Sequence, residues 1–235
     1  MKIIGLLGGM SWESTVPYYE VINRTVGERL GGLHSGKIIL YSVDFEEIEK
    51  LQHAAQWTEA GEILVTAAAK LENAGADFLV LCTNTMHKVA SQIEARVRIP
   101  LLHIADPTAQ AVHRCGFRKV GLLGTRFTME QDFYKARLQI KHKLQVLVPS
   151  TPDMEIVHRV IYQELCLGKV VEESRSEYRR IASSLIKQGA QGIILGCTEV
   201  SMLLRDSDAE VPLFDTAALH ARTAALIALG EISLA

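Results

Sequence analysis

Two stretches of the 235-residue chain end an apolar run in side chains that can move protons or hold small anions. Ile193-Ile194-Leu195-Gly196 runs into Cys197-Thr198-Glu199, which places a thiol, a hydroxyl and a carboxylate side by side. Phe78-Leu79-Val80-Leu81-Cys82 runs into Thr83-Asn84-Thr85, two hydroxyls and an amide. A short branched apolar run is the pattern of a strand buried on both faces of a parallel sheet. Open α/β sheets collect their ligands at the carboxyl ends of such strands. A thiol there, just before a helix, is expected to titrate below its free value of about 8.5 and to act as nucleophile or general base. Thr198, the amides after it, and Thr83-Asn84-Thr85 suit a small polar ligand bearing a carboxylate. The competing reading of a cysteine is a small buried apolar residue. It is kept for Cys82, one residue before its strand ends, and for Cys115; at Cys197 it is set aside, because Gly196 has already closed the apolar run. For Asn84 and Thr85 the competing reading is a cap for the helix beginning near Met86, and His87 in its first turn either faces the ligand or caps.

The elements that must position these groups alternate along the chain. Lys2 to Leu7 reads as the first strand, followed by Gly8-Gly9-Met10-Ser11, a tight turn that exposes backbone N–H groups to a ligand. It does not match the GxGxxG dinucleotide fingerprint. A helix follows, with Ser14 or Thr15 at its cap, Pro17 in its first turn, and Tyr18, Val21, Ile22, Val26 and Leu30 at helical spacing. Further strands are expected at 38–43, 77–82, 100–104, 119–123, 144–148, 193–196 and 211–214. Helices are expected at 63–71, 86–97, 108–114, 151–167, 172–188, 200–204 and 216–229, and another after Thr128 and Gln131, which have capping-box spacing. The segment from Asp44 to Trp57 reads as a long polar loop, the kind that often carries function.

The second half of this series repeats the first. Gly5-Leu6-Leu7-Gly8 returns as Gly121-Leu122-Leu123-Gly124, Gly75-Ala76 as Gly189-Ala190, and Pro100-Leu101 as Pro212-Leu213, at offsets of 116, 114 and 112. Landmarks recurring in one order mark an internal repeat. The expected fold is α/β: two pseudo-symmetric lobes, residues 1–105 and 106–215, each a small parallel sheet flanked by helices, with the last helix (216–235) packing back on the first lobe. Under the 114-residue offset Cys197 falls opposite Thr83, not Cys82. Two such lobes facing each other would bring Gly8, Thr83, Thr125 and Cys197 to one cleft.

Composition narrows the classes. Apolar residues make up 48% of the chain, enough for a substantial core, and the formal charge is −2 without a basic block, which argues against a nucleic-acid partner. No apolar run reaches membrane-spanning length. Met1-Lys2-Ile3-Ile4-Gly5 lacks the features of a signal peptide, so a cytoplasmic location with reduced thiols is expected. The four cysteines form no CxxC pair, which gives no support to a metal site.

With these motifs the chain resembles the aspartate/glutamate racemase superfamily over essentially its full length. The resemblance is carried by Gly5-Leu6-Leu7-Gly8-Gly9-Met10, Thr83-Asn84-Thr85-Met86-His87 and Gly196-Cys197-Thr198-Glu199. Glu199 is closer to the aspartate racemases, since glutamate racemases usually carry His there. The resemblance implies two pseudo-symmetric lobes around the substrate, and a pair of cysteines on opposite faces of the α-carbon. One takes the proton and the other returns it, without pyridoxal phosphate or any other cofactor and without a metal. It also implies a homodimer and a small amino-acid substrate. Here the first cysteine of the pattern is Thr83. Adjacent residues of a strand point to opposite faces, so Cys82 is not its substitute. The Thr–Cys pair is similar to that of the L-aspartate/glutamate-specific racemases and implies Thr83 and Cys197 as catalytic residues, with the L enantiomer preferred. The implied binding residues are Met10, Gln52, Thr83, Asn84, Thr85, Thr125, Cys166 and Thr198. The loop that supplies a basic residue in the family holds Gln52 and His53 here. The family lysine of the second-lobe helix aligns with Cys166 in Ile161-Tyr162-Gln163-Glu164-Leu165-Cys166, with Lys169 one turn on.

The rivals are other members of the superfamily (hydantoin racemases, maleate isomerases, arylmalonate decarboxylases) and, from a different class, a non-catalytic small-molecule-binding protein, which the replacement by Thr83 keeps in play. A nucleotide-binding reading ranks last for want of a fingerprint.

Overall fold

The computed structural model describes residues 1–234. Their eight strands form two four-stranded sheets, in the order β2-β1-β3-β4 and β6-β5-β7-β8, with every neighbouring pair parallel. The chain divides into two compact units. One is Met1–Ile104 together with the chain from His220 on; the other is Ala105–Leu219.

In the first unit β1 (Ile4–Gly8) is buried throughout, as an apolar run with sheet neighbours on both sides must be. It leads to α1 (Trp12–Leu30), whose N-cap is Ser11 and not Ser14 or Thr15: the Ser11 hydroxyl accepts from the Ser14 N–H at 3.4 Å. Pro17 consequently lies in the second turn, where its missing N–H leaves the Glu13 carbonyl without its helical donor. After β2 (Ile38–Ser42) the expected loop is a helix, α2 (Phe45–His53), followed by α3 (Trp57–Asn73). Asp44 caps α2, with its Oδ1 accepting from the Glu46 N–H at 3.1 Å, and Glu46 and Glu47 complement the helix dipole. Ile48 and Gln52, one turn apart, are its buried residues. The acidic residues that resemble a loop are therefore the outer face of an amphipathic helix. Then come β3 (Phe78–Leu81), a 3₁₀ turn at Thr85–Val89 with α4 (Ala90–Glu94) in place of one longer helix, and the two-residue β4 (Leu101–Leu102). Leu7, Leu79 and Leu81 of the sheet share a core with Leu64, Ala68 and Leu71 of α3.

The second unit opens with α5 (Ala105–Arg114), earlier than the expected Thr108, with Pro107 in its first turn where no intrahelical N–H is required. β5 (Lys119–Gly124) leads to α6 (Arg126–Glu130), α7 (Asp132–Ala136), a π turn at Arg137–Lys141 and β6 (Gln145–Leu147). The predicted capping box fails here. Thr125, not Thr128, caps α6, because Thr128 is already inside the helix and donates its N–H to the Thr125 hydroxyl at 3.3 Å. α8 (Thr151–Gln163) ends before a 3₁₀ turn at Leu165–Leu167; α9 (Glu172–Lys187), β7 (Ile193–Gly196), α10 (Val200–Leu203), β8 (Leu213–Asp215) and α11 (Thr216–Leu229) complete the chain.

The internal repeat is visible as shared geometry. Gly75 and Gly189, which close α3 and α9, have φ of 95° and 96°, a conformation glycine adopts without a Cβ penalty. Leu79 N–H donates to the Pro100 carbonyl at 2.8 Å, and Ile193 N–H to the Pro212 carbonyl at 3.0 Å. Leu7 pairs with Leu81, and Leu123 with Leu195. Thr83 and Cys197 therefore stand at equivalent positions, each two residues beyond a paired leucine.

Candidate active site

In each sheet the chain leaves the first strand to one side and returns on the other, so the strand order reverses between β1 and β3 and between β5 and β7. Such a switch point opens a crevice at the carboxyl ends of its two strands. The residues just past those ends are Met10 and Thr83 in the first unit, and Thr125 and Cys197 in the second. All four are buried.

In the first unit Gly9 has φ of 92°, and a Cβ there would collide with the Val43 backbone, so only glycine fits the turn after β1. The expected exposure of its amide is not realised: Gly9 N–H donates to the Thr15 hydroxyl at 2.9 Å, and that hydroxyl donates to the Ser11 carbonyl at 2.7 Å. Thr83, Asn84 and Thr85 form the turn from β3 into the 3₁₀ segment. Gln52 arrives from α2 and is 2% exposed; its amide donates to the Met86 sulfur at 3.1 Å, which fixes it against the same segment. His53 lies on the outer face of α2, paired with Glu49 at 3.0 Å.

His87 neither caps a helix nor offers a free ring. Its Nε2 accepts the Ile104 N–H at 3.1 Å, so the ring hydrogen sits on Nδ1, which donates to the Thr83 carbonyl at 2.7 Å. His220 has the opposite tautomer: its Nε2 donates to the Leu102 carbonyl at 2.8 Å and its Nδ1 accepts the Tyr18 hydroxyl at 3.0 Å. The His87 ring contacts His103 at 4.4 Å and His220 at 5.9 Å between centroids. This histidine cluster holds the backbone of Thr83.

In the second unit Gly124 and Gly196 pair across β5 and β7, and a Cβ on Gly124 would press on the Gly196 carbonyl. The two glycines let the strands meet closely just before Thr125 and Cys197. The Cys197 thiol donates to Glu199 Oε2 at 2.9 Å, and the Thr198 hydroxyl donates to the same oxygen at 2.8 Å. Glu199 is 2% exposed. The expected low thiol pKa is overturned: burial, and then the neighbouring Glu199 carboxylate, hold the Cys197 thiol well above its ordinary value, so it rests protonated. Cys166, in the 3₁₀ turn after α8, is near enough for its charge to act on Cys197 in the same direction. Lys169, one turn on, is exposed. Cys82 donates to the Val80 carbonyl at 3.6 Å and is pushed up by burial, as a core thiol.

The structure thus gathers Met10, Gln52, Thr83, Asn84 and Thr85 around the β1/β3 ends, and Thr125, Cys197 and Thr198 around the β5/β7 ends, with Cys166 beside the latter. The residue that sequence reasoning under-used is Glu199. Its signal was a carboxylate two positions after the thiol.

A four-stranded parallel α/β unit present twice is the fold of solved amino-acid racemases. The chain belongs to the Asp/Glu/Hydantoin racemase family, whose model matches residues 7–224; it is thereby an enzyme of the isomerase class. A curated relative, the broad-specificity amino-acid racemase RacX of Bacillus subtilis, is 24% identical over 94% of this chain and 96% of its own. A solved structure of a candidate Asp/Glu racemase from Yersinia pestis is 58% identical, covering 97% of this chain and all of that one, with a TM-score of 0.90. That of an aspartate racemase homologue from Pyrococcus horikoshii is 34% identical, covers 97% of this chain and 100% of that one, and has a TM-score of 0.83. No helix among the described residues is long and apolar enough to cross a membrane.

Proposed function

We propose that this chain is an L-preferring racemase of aspartate or glutamate, in which Cys197 and Thr83 exchange the α-proton from opposite faces of the α-carbon without a cofactor. The observation that carries the reading is the equivalence of Thr83 and Cys197 in the repeat, combined with the hydrogen bond from the Cys197 thiol to buried Glu199. A protonated thiol is no base. Transfer of its hydrogen across the 2.9 Å bond to Glu199 Oε2 generates the thiolate where it is used. The thiolate takes the α-proton, and the Thr83 hydroxyl, or a water bound to it, returns a proton to the other face. Glu199 then releases its proton to solvent while the Thr83 side regains one, so protons balance over a turnover. A hydroxyl is a much weaker acid than a thiol, so the two directions run unequally, and L substrates, deprotonated at Cys197, are favoured. Met10, Gln52, Asn84, Thr85, Thr125, Cys166 and Thr198 hold the carboxylates and amino group with neutral hydrogen bonds. Donors fixed where charge develops stabilise the carbanion.

The test is α-proton exchange in deuterated water with L- and D-aspartate and L- and D-glutamate, for the wild type and Cys197→Ser. Exchange with inversion for an L substrate, lost in the variant, is expected. Binding of these amino acids without exchange of any of them would overturn the reading and favour a binding protein.

A further inference from the structure

On the second unit a cavity of about 660 Å³ is lined by residues of α5, β7, α10, β8, the start of α11 and the segment after α10, with Thr125, Cys197, Thr198 and Glu199 outside its lining. Its floor is apolar and buried: Ala111, Leu195, Leu204 and Phe214. Its rim carries Arg114 and Arg205. These guanidinium groups differ from most others of the unit, Arg118 and Arg159 being likewise without a carboxylate among the described residues. Arg126, Arg137, Arg175, Arg179 and Arg180 each hold a carboxylate, whereas Arg114 and Arg205 form no ion pair among the described residues. Two acidic residues also line the cavity. Asp206 is one exposed charge against two. Asp215 is turned to the backbone, accepting the N–H groups of Ala217 and Ala218 on Oδ1 at 2.9 and 3.1 Å, and forms no ion pair with either arginine. Two guanidinium groups without carboxylate partners therefore stand over an apolar floor, in a volume typical of sites for small organic molecules, roughly 300–1,000 Å³.

The cavity also touches the element that carries the chemistry. Leu195 belongs to β7, two residues before Cys197, and Ser201 of α10 donates its hydroxyl to the Thr198 carbonyl at 3.2 Å. A molecule seated here presses on the support of Thr198 and Glu199 without reaching their side chains.

We propose that this cavity is a second ligand site, taking a small organic anion with an apolar body, a carboxylate or sulfonate on an aryl or branched aliphatic frame. The arginines hold the anion by charge-assisted hydrogen bonds and the floor covers the apolar body. Occupancy stiffens the turn from Cys197 to Ser201.

Exposed Cys115 lines the cavity and reports on it when its alkylation is followed by peptide mass, since Cys82 and Cys197 are buried and Cys166, outside the cavity lining, is partly buried. The intact chain is titrated with 8-anilinonaphthalene-1-sulfonate and, in parallel, with uncharged N-phenyl-1-naphthylamine. Saturable binding of the sulfonate is expected, with Cys115 protected from iodoacetamide and slower amide exchange at residues 197–201. Arg114→Gln with Arg205→Gln is expected to weaken the sulfonate about tenfold or more and to leave the uncharged compound unchanged; both residues are exposed, so the fold is retained. Unaltered Cys115 alkylation, or equal sulfonate binding by the double variant, would overturn the site. So would a second copy of the chain on this face, seen as Cys115 protection without ligand that disappears on dilution. Unchanged exchange at 197–201 on saturation would overturn the link to the turn. None of these readouts depends on which amino acid the enzyme racemises.

Discussion

Glu199 accepts the hydrogens of both Cys197 and Thr198, and this decides how the thiol can work. Glu199→Gln removes the internal proton acceptor while burial still disfavours the thiolate. The exchange rate is expected to fall about 10²- to 10⁴-fold, the usual worth of a positioned base. The pH profile separates this from misfolding. In the variant the thiol must ionise to solvent, so activity climbs with pH into the alkaline range, a dependence that the wild type, with Glu199 beside the thiol, does not share. His87 makes a second prediction at this scale. His87→Phe keeps a ring but leaves the Thr83 carbonyl and Ile104 N–H without their buried partner. A loss of about 2–6 kcal/mol is expected in denaturant unfolding, from two unsatisfied groups at roughly 1–3 kcal/mol each. The equivalence of Thr83 and Cys197 in the two sheets was legible in the residues, because the repeat offset fixed it. The direction of the thiol's pKa was not, since it depends on burial and on a carboxylate oxygen arriving within 3 Å.

At the scale of elements, strands and long helices announce themselves by apolar runs and glycine stops, and β7, α9 and α11 fall within a residue of their expected bounds. α2 does not, since its polar residues resemble a loop until Ile48 and Gln52 are seen to turn inward. That difference matters, because α2 delivers Gln52. Asp44→Ala should cost about 0.5–2 kcal/mol by removing the cap of α2, readable as a fall of a few degrees in Tm. If α2 positions Gln52 for substrate, KM rises more than kcat falls. An unchanged KM at saturating stability loss would detach Gln52 from substrate binding. The caps at Ser11 and Thr125 are displaced from expectation because a helix terminus is set by which hydroxyl meets which amide, and several Ser and Thr residues near each end compete.

At the scale of the molecule, acid stability should be anchored by Asp106 in the second unit. Burial opposes its charge, but hydrogen bonds from Arg137 at 2.6 and 2.7 Å, His142 at 2.8 Å and Lys141 at 3.0 Å outweigh it and hold its carboxyl well below the usual carboxylate range. The group is protonated later in the folded chain than in the unfolded one. Its stabilisation is therefore complete above the unfolded value of about 4 and is lost as pH falls below it. Asp106→Ala should cost about 1–3 kcal/mol at neutral pH, discounted for the partly exposed Arg137 and Lys141, and progressively less as pH falls from the unfolded value of about 4 towards the much lower folded one, as urea unfolding across pH will show. The buried Cys82, Tyr134 and Tyr178 act on the alkaline side: burial raises each, so stability falls once pH passes their unfolded values of about 8.5 to 10. The amino-acid sequence by itself determined the duplicated α/β plan and the equivalence of Thr83 and Cys197, because both follow from periodicity and glycine spacing along the chain. Only the tertiary structure decided that Glu199 holds the thiol's hydrogen, that His87 locks the Thr83 backbone through one tautomer, and that Arg114 and Arg205 share one cavity, because each depends on side chains brought together by packing.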